Sequence, residues 1–336
     1  MKAIGYSETG PAGVLRDLEL PKPVAVPRDL IVRVKAVSVN PADTKLRRFA
    51  APLDDQPRVL GFDAAGIVES VGSEVTLFQP GDEVFYAGDI TRPGTNAECH
   101  AVDERLVGTK PKTLSFAEAA ALPLTTITAW EILFERLKVS RDASATPQTL
   151  LVIGGAGGVG SILLQLARRL TNLTVIATAS RPETVQWVEN MGANVVINHG
   201  LPLADELRRK GLTEVDFIAS LTASDRHYES LKTIIKPQGH IVLIDDPEHF
   251  DIVPFKRKSV TLSWEFMFTR AAFHTPDMIE QHRLLAAVSA LVDRGEIHTT
   301  MTQDAGPITA ANLIRVHEQI EAGSSIGKTV LSGFPH

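Results

Sequence analysis

The run Leu150-Leu151-Val152-Ile153-Gly154-Gly155-Ala156-Gly157-Gly158-Val159-Gly160 constrains this chain more than any other stretch. A continuous apolar segment reads as a strand buried on both faces, as in a parallel sheet. Gly155-x-Gly157-x-x-Gly160 follows at once, and Ser161 to Leu170 (SILLQLARRL) then has the composition of a packed helix. That order of strand, glycine turn and helix suits a dinucleotide pyrophosphate. The first glycine permits a tight turn, the second lets the backbone approach the phosphates, and the third lets the helix lie close to its strand. Free N–H groups and the positive end of the helix dipole then face the anion. Gly155, Ala156, Gly157, Gly158, Val159 and Gly160 are therefore expected to line a dinucleotide site.

From Leu150 onward strand and helix patterns alternate. Further strands are expected at 173–178, 194–198, 215–220, 240–244 and 260–266, with helices starting near Glu183, Ala204 and Asp225. Gly192 reads as a helix C-cap and Pro237 as a helix stop. Alternation with short loops implies right-handed crossovers and a doubly wound, six-stranded parallel sheet, which makes the fold class α/β. The first third is β-rich instead, with strand-like runs at 30–39, 64–71 and 82–87. Ser115-Phe116-Ala117-Glu118 is a capping-box pattern that opens a helix toward Leu122, and a second helix should run past Pro123 through Trp130 to Leu137. The tail holds helices at 275–294 and 309–322 and a last strand at 328–331. A chain of 336 residues exceeds the size at which one core stops growing. The expected division is 1–124 with 271–336 as one domain, around 125–270 as the nucleotide-binding domain.

Composition narrows the function classes. Apolar residues make up 44% and charged residues 22%, and the net charge is −6 with both signs mixed along the chain. No basic run is present to neutralise a nucleic-acid backbone, and no apolar stretch reaches the roughly 18 residues of a membrane span. Cys99 is the only cysteine, so no intrachain disulfide can form, which fits a reducing compartment. A soluble, cytoplasmic protein with a small-molecule substrate is expected, without nucleic-acid or membrane partners.

The choice of cofactor rests on the residues about twenty positions past the glycines. A free ribose 2′-hydroxyl calls for a carboxylate there. Here the second strand ends Thr178-Ala179-Ser180-Arg181, with no acid at its tip. A guanidinium and a hydroxyl suit a 2′-phosphate, so NADPH is expected over NADH, held by Ser180 and Arg181. Ser180-Arg181-Pro182-Glu183 also reads as a capping box for the next helix, and the two uses are compatible. Backbone groups of Ser220, Leu221 and Ile244 fall at strand C-terminal ends, where open α/β sheets bind their ligands. Tyr86 ends its strand as either a hydroxyl facing substrate or a packed ring.

Several longer blocks carry a resemblance: VKAVSVNPADTKLR (34–47), GFDAAGIVESVGSEVTLFQPGDEVFYAG (61–88), LSFAEAAALPLTTITAWEIL (114–133), LLVIGGAGGVGSILLQLAR (150–168) and GKTVL (327–331). In these the chain resembles the medium-chain dehydrogenase/reductase superfamily, and within it the zinc-free quinone oxidoreductase-like branch, near a bacterial group labelled zinc-type alcohol dehydrogenase family proteins. The resemblance implies a GroES-like catalytic domain beside a Rossmann domain. Members that use zinc place a Cys, a His and a further Cys or acid where this chain reads Asn40, Phe62 and the LPL around Pro123. A four-cysteine structural site is impossible with one cysteine. Without a Lewis acid, oxidation of an alcohol is disfavoured. The reaction the resemblance implies is hydride transfer from NADPH to a quinone or to the β-carbon of an α,β-unsaturated carbonyl.

The resemblance also implies roles. It places Asn40 beside the nicotinamide, Asp43 as a neighbouring acid, and Thr128 and Lys328 near the cofactor. Each has a plainer use: an Asx-type turn for Asp43, a bond back to a helix carbonyl for Thr128, a solvated strand start for Lys328. Where the family often carries a Tyr, this chain has Arg47-Arg48-Phe49-Ala50, which leaves the proton donor open. The sixth strand is expected to pair with its copy in a homodimer. A zinc-dependent alcohol dehydrogenase and a catalytically silent, crystallin-like NADPH-binding protein remain as alternative functions.

Overall fold

The computed structural model describes residues 1–52, 56–142 and 144–335. The chain divides into two units, Met1–Ile127 with Phe268–His336, and Thr128–Met267. In chain order the first unit holds β1 (Lys2–Tyr6), β2 (Arg16–Glu19), β3 (Asp29–Ser38), α1 (Pro41–Phe49), β4 (Arg58–Val59), β5 (Asp63–Val71), β6 (Glu83–Ala87), β7 (Cys99–Asp103), β8 (Val107–Thr109) and α2 (Phe116–Ala120). Helix α3 (Pro123–Glu131) runs across the boundary. The second unit holds β9 (Gln148–Ile153), α4 (Gly158–Leu170), β10 (Leu173–Thr178), α5 (Pro182–Asn190), β11 (Val195–Ile197), α6 (Leu203–Arg209), β12 (Val215–Ser220), α7 (Ser224–Ile234), β13 (Ile235–Leu243) and β14 (Thr261–Trp264). The chain returns to the first unit with α8 (Thr269–Ala272), α9 (Ile279–Asp293), β15 (Met301–Asp304), α10 (Ala310–Glu321) and β16 (Lys328–Ser332).

The second unit is built as the alternation required. Among the described residues its strands lie in the order β11-β10-β9-β12-β13-β14, and every pairing is parallel. Leu150 to Ile153 of β9 are buried at the centre, which is why that run carries no polar residue. Helix α4 covers the sheet with Ile162, Leu163, Leu164 and Leu166, all buried.

Two details of this unit differ from the sequence reading. Helix α5 starts one residue later than Ser180 would place it. Arg181 is the N-cap with Pro182 at the first helical position, and Thr184 Oγ1 accepts from Arg181 N at 3.1 Å. The capping residue is thus Thr184 reaching back, while the Ser180 hydroxyl points elsewhere. Helix α7 stops at Ile234, because Pro237 disfavours helical backbone at Lys236. The strand begins at Ile235, makes an excursion through Lys236-Pro237-Gln238-Gly239 with Gln238 at φ 63°, and resumes pairing at His240 opposite Phe217.

In the first unit β3 is the organising strand. It pairs with β5, β7 and β16, so the last strand of the chain lies beside the third. Leu30, Val32, Val34, Val37, Val84 and Leu331 share one buried cluster, which joins the N-terminal and C-terminal segments. Strand β15, parallel to β16, is an element the sequence pattern did not show. The expected capping box opens α2, with Ser115 Oγ accepting from Glu118 N at 3.2 Å and Glu118 accepting from Ser115 N at 2.9 Å. The helix expected to run to Leu137 leaves α geometry after Glu131 and finishes in a π turn, Ile132–Arg136. No helix among the described residues is long and apolar enough to cross a membrane.

Candidate active site

The glycine turn has a division of labour finer than its spacing suggested. Gly154, outside the motif, makes the turn at φ 84°, and its N–H is held by Thr178 Oγ1 at 3.1 Å. Gly155 is small for packing, since a Cβ there would lie 3.0 Å from the Ala177 methyl. A Cβ at Gly160 would collide with the carbonyl oxygens of Gly154 and Gly155, so this glycine brings α4 against the turn. At Gly157, the N-cap of α4, the nearest atom to a built Cβ is Gly154 O at 3.5 Å, and the space beyond is open. The N–H groups of Gly158, Val159 and Gly160 head the helix with no carbonyl a turn earlier to receive them. A cradle with an open floor and aligned donors is what an anionic pyrophosphate fits.

Ser180, Arg181, Ser220, Leu221 and Ile244 of the expected cofactor set lie at the C-terminal ends of strands in the same parallel sheet. Leu221 N donates to Ile153 O at 3.2 Å and Ile244 N to Ser220 O at 3.3 Å, so these residues stitch β9, β12 and β13 at their ends. Ser220 Oγ is buried and lies 2.7 Å from Ser224 Oγ, which in turn donates to Asp245. At the tip of β10, Ser180 Oγ sits 3.2 Å from His199 Nε2. Arg181 is half exposed, with Nε 3.3 Å from Glu183. Thr128 is buried within α3.

In the first unit Asn40, Asp43 and Lys328 come together with Asp63 in a buried polar knot. Asp63 Oδ2 accepts from Ser38 Oγ at 2.8 Å, Asn40 Nδ2 at 2.7 Å and Lys328 Nζ at 3.1 Å, while its Oδ1 accepts from Leu124 N at 2.7 Å. Lys328 Nζ also donates to Val39 O at 2.9 Å and to Asn40 Oδ1. An ammonium has three N–H groups, and these three acceptors use them all. The Asn40 amide is thereby fixed, oxygen toward Lys328 and nitrogen toward Asp63. Such a knot is stable only because every member is satisfied.

Asp43 buttresses this arrangement from the first turn of α1. Its two oxygens accept from Asn40 N at 2.8 Å and Gly61 N at 2.9 Å. Burial pushes its carboxyl up to about 7, against the pull of those N–H groups and of Lys328, with Asp63 adding a little to the rise. Tyr86 is not part of the knot. It is fully buried, its ring stacks on His100 with centroids 5.5 Å apart, and its hydroxyl lies 3.2 Å from His100 Nδ1. Since His100 Nε2 faces the Pro93 carbonyl at 3.0 Å, that nitrogen carries the proton and Nδ1 accepts from Tyr86. Burial drives both away from charge, the phenol up and the imidazole down to about 4. Arg47, in the segment where a Tyr was considered, is fully buried and ties α1 to α10 through His317 at 2.9 Å and Glu321.

Asp63, Ser38, Thr178 and His199 were not singled out in the sequence. The one available signal was Asp63 itself, a carboxylate opening the apolar run Ala64 to Val68, which had to find partners. The positions at which zinc ligands were sought do not form a ligand set. Asn40 is held by Asp63 and Lys328, and Phe62 packs edge-on against Phe268 with centroids 4.7 Å apart. Among the described residues no three His, Cys, Asp or Glu side chains are placed to hold one metal ion.

Residues 26–130 match the alcohol dehydrogenase GroES-like domain, and residues 158–282 match the zinc-binding dehydrogenase family. A zinc-type alcohol dehydrogenase-like protein from Staphylococcus aureus is 42% identical over 99% of this chain and 100% of its own length. The chain belongs to the medium-chain dehydrogenase/reductase superfamily. A solved candidate zinc-dependent alcohol dehydrogenase from Rhizobium etli is 56% identical, with a TM-score of 0.97 over 100% of this chain and 99% of that one. A 2-methylene-furan-3-one reductase from Solanum lycopersicum is 30% identical over 100% of this chain and 80% of its own length. Membership makes the chain an oxidoreductase that uses a nicotinamide cofactor, with a Rossmann unit and a GroES-like unit as the folded parts.

Proposed function

We propose that this oxidoreductase is an NADPH-dependent reductase that acts without zinc on an already electrophilic acceptor, a quinone or an α,β-unsaturated carbonyl. The observation that carries this reading is the Asn40–Asp63–Lys328 knot. Where zinc-using relatives need a thiolate and an imidazole, this chain has the Asn40 amide, held by the buried Lys328 ammonium, and the Phe62 ring. With that donor set, activation has to come from the acceptor's own conjugation rather than from a metal. The tomato relative is named for reduction of 2-methylene-furan-3-one, an activated alkene, and such an acceptor fits the proposal.

When bound, NADPH supplies the hydride. The turn at Gly154 to Gly160 and the first N–H groups of α4 hold the pyrophosphate, and Ser180 and Arg181 take the 2′-phosphate. Backbone at Ser220, Leu221 and Ile244, with Thr128, borders the cofactor. Asn40, locked in orientation, is the side chain beside the nicotinamide, and Lys328, near the cofactor, positions it. Asp43 holds the Asn40 backbone. The Tyr86 proton is directed at His100, so the product's proton comes from solvent. The unit is a homodimer through the outer edge of β14, where Trp264 is 59% and Phe266 50% exposed.

The deciding experiment follows NADPH oxidation against a panel of quinones and enones, with NADH in parallel and metal content measured on the same preparation. Turnover with an enone or quinone at background metal content is expected. Activity confined to alcohols, or one tightly held zinc per chain, overturns the proposal.

A further inference from the structure

Ser180 and His199 lie 19 residues apart yet face one spot, with Ser180 Oγ 3.2 Å from His199 Nε2. Resting on the NADPH reading above, we infer that His199 is a specificity-determining residue: it completes the 2′-phosphate clamp with Ser180 and Arg181, and NADPH binding loads one proton onto it. NADH, with a hydroxyl in place of the phosphate, loads none.

The charges around the imidazole support this. The guanidiniums of Arg226, in the first turn of α7, and Arg181 both act on it, and together with burial, the larger effect, they hold it below its ordinary range. The Arg226 guanidinium has no hydrogen bond or ion pair among the described residues, and only its backbone N–H is engaged, by Asp225 at 2.8 Å. His227, next along α7, is itself held neutral by burial and then by Arg226 and His199, with Asp225 pulling the other way. The acids nearby are occupied. Glu183 pairs with Arg181, and on α6 Glu206 accepts from Asn198 N at 2.9 Å and from Arg209. The imidazole and the Ser180 hydroxyl therefore face one spot, with two guanidiniums near enough to act on the imidazole and the Asp225 carboxylate engaged by Arg226 N. A dianion is what such a cluster lacks, and placing one there favours the imidazolium.

Binding that takes up a proton weakens as pH rises, by up to tenfold per unit while the imidazole is neutral in the free protein and protonated in the complex. The phosphate's own second ionisation, near 6, works in the opposite sense, so the effect is read between about pH 6.5 and 8.5. The test is calorimetric titration of the full chain with NADPH and with NADH, in phosphate and in Tris buffer, for wild type, His199→Gln and Arg226→Gln. Buffers of different ionisation enthalpy count the protons. Wild type should take up close to one proton with NADPH and none with NADH. His199→Gln should take up none, bind NADPH roughly tenfold more weakly and bind NADH unchanged, which also shows that it is folded. Arg226→Gln, at an exposed position, should weaken NADPH alone. Unaltered NADPH affinity and proton uptake in His199→Gln overturn the inference. Equal wild-type affinity for NADPH and NADH instead overturns the cofactor reading on which it rests.

Discussion

Lys328 Nζ lies 3.1 Å from Asp63 Oδ2, both side chains are buried, and 265 residues separate them in the chain. Lys328 opens the last strand and Asp63 opens β5, with β3 between them. The pair therefore closes the first unit on itself while it holds Asn40. Removing one partner leaves a buried charge uncompensated. Lys328→Met should cost about 3–5 kcal/mol, measured as the shift in urea midpoint. The double variant Asp63→Asn/Lys328→Met should recover part of that loss. A single variant as stable as wild type would show that the ammonium is idle.

The elevated Asp43 carboxyl makes a second prediction, in pH. Its folded value of about 7 lies above the ordinary 3.8, so its stabilising contribution is complete below about 4 and is lost as pH rises through 7. Above that the term is constant. Asp43→Asn should flatten the fall in Tm between pH 4 and 7. It should also cost about 1–3 kcal/mol, because an amide offers one acceptor oxygen to the two N–H groups of Asn40 and Gly61. Calorimetric Tm profiles check both, and an unchanged slope in the variant would dismiss Asp43 as the titrating group.

How much of this was legible in the sequence follows from how local each signal is. Strand β9 was readable because a continuous apolar run that ends in glycines leaves a buried parallel strand few rivals, and β10 and β12 because short β-branched or aromatic runs alternate with helix patterns. The Ser115–Glu118 box was readable because its partners are three residues apart. The start of β13 was not, since Lys236-Pro237-Gln238-Gly239 reads as a breaker and only pairing with β12 makes Ile235 a strand residue. The knot was half readable. Asn40, Asp43 and Lys328 sit in blocks that resemble a family, but nothing local tells that one carboxylate, Asp63, joins them. His199 carried no signal, because its neighbour Ser180 is brought to it by the parallel register of β10 and β11.

The glycine turn allows its roles to be separated. Gly160→Ala forces a methyl into the Gly154 and Gly155 carbonyls, so both stability and cofactor affinity should drop. Gly157→Ala meets nothing closer than 3.5 Å, so the fold should tolerate it to within about 1 kcal/mol while NADPH affinity falls at least tenfold. Thermal melts beside fluorescence titration distinguish the two. Equal loss of stability in both variants would contradict the assignment of Gly157 to the ligand.

Arg181 should decide between the two cofactors. It is exposed and its ion pair to Glu183 is on the surface, so Arg181→Asp should leave the melting temperature nearly unchanged. Reversing its charge beside a 2′-phosphate should raise the KM for NADPH by roughly a hundredfold and hardly move that for NADH. Parallel increases for both cofactors would place Arg181 outside the phosphate site.

Strand β14 is an edge of its sheet, with β13 as its only partner among the described residues. An unpaired strand edge flanked by Trp264 and Phe266, both at least half exposed, is the kind of surface that a second copy covers. Light scattering at micromolar concentration should give twice the chain mass, and Trp264→Lys should shift it toward the single chain while the far-ultraviolet spectrum stays unchanged. Because a two-fold interface places each copy's edge against its own counterpart, one substitution introduces two facing charges, and dissociation should be steep in protein concentration. A wild-type protein that remains a single chain under these conditions would leave that edge to solvent and remove the dimer from the proposal.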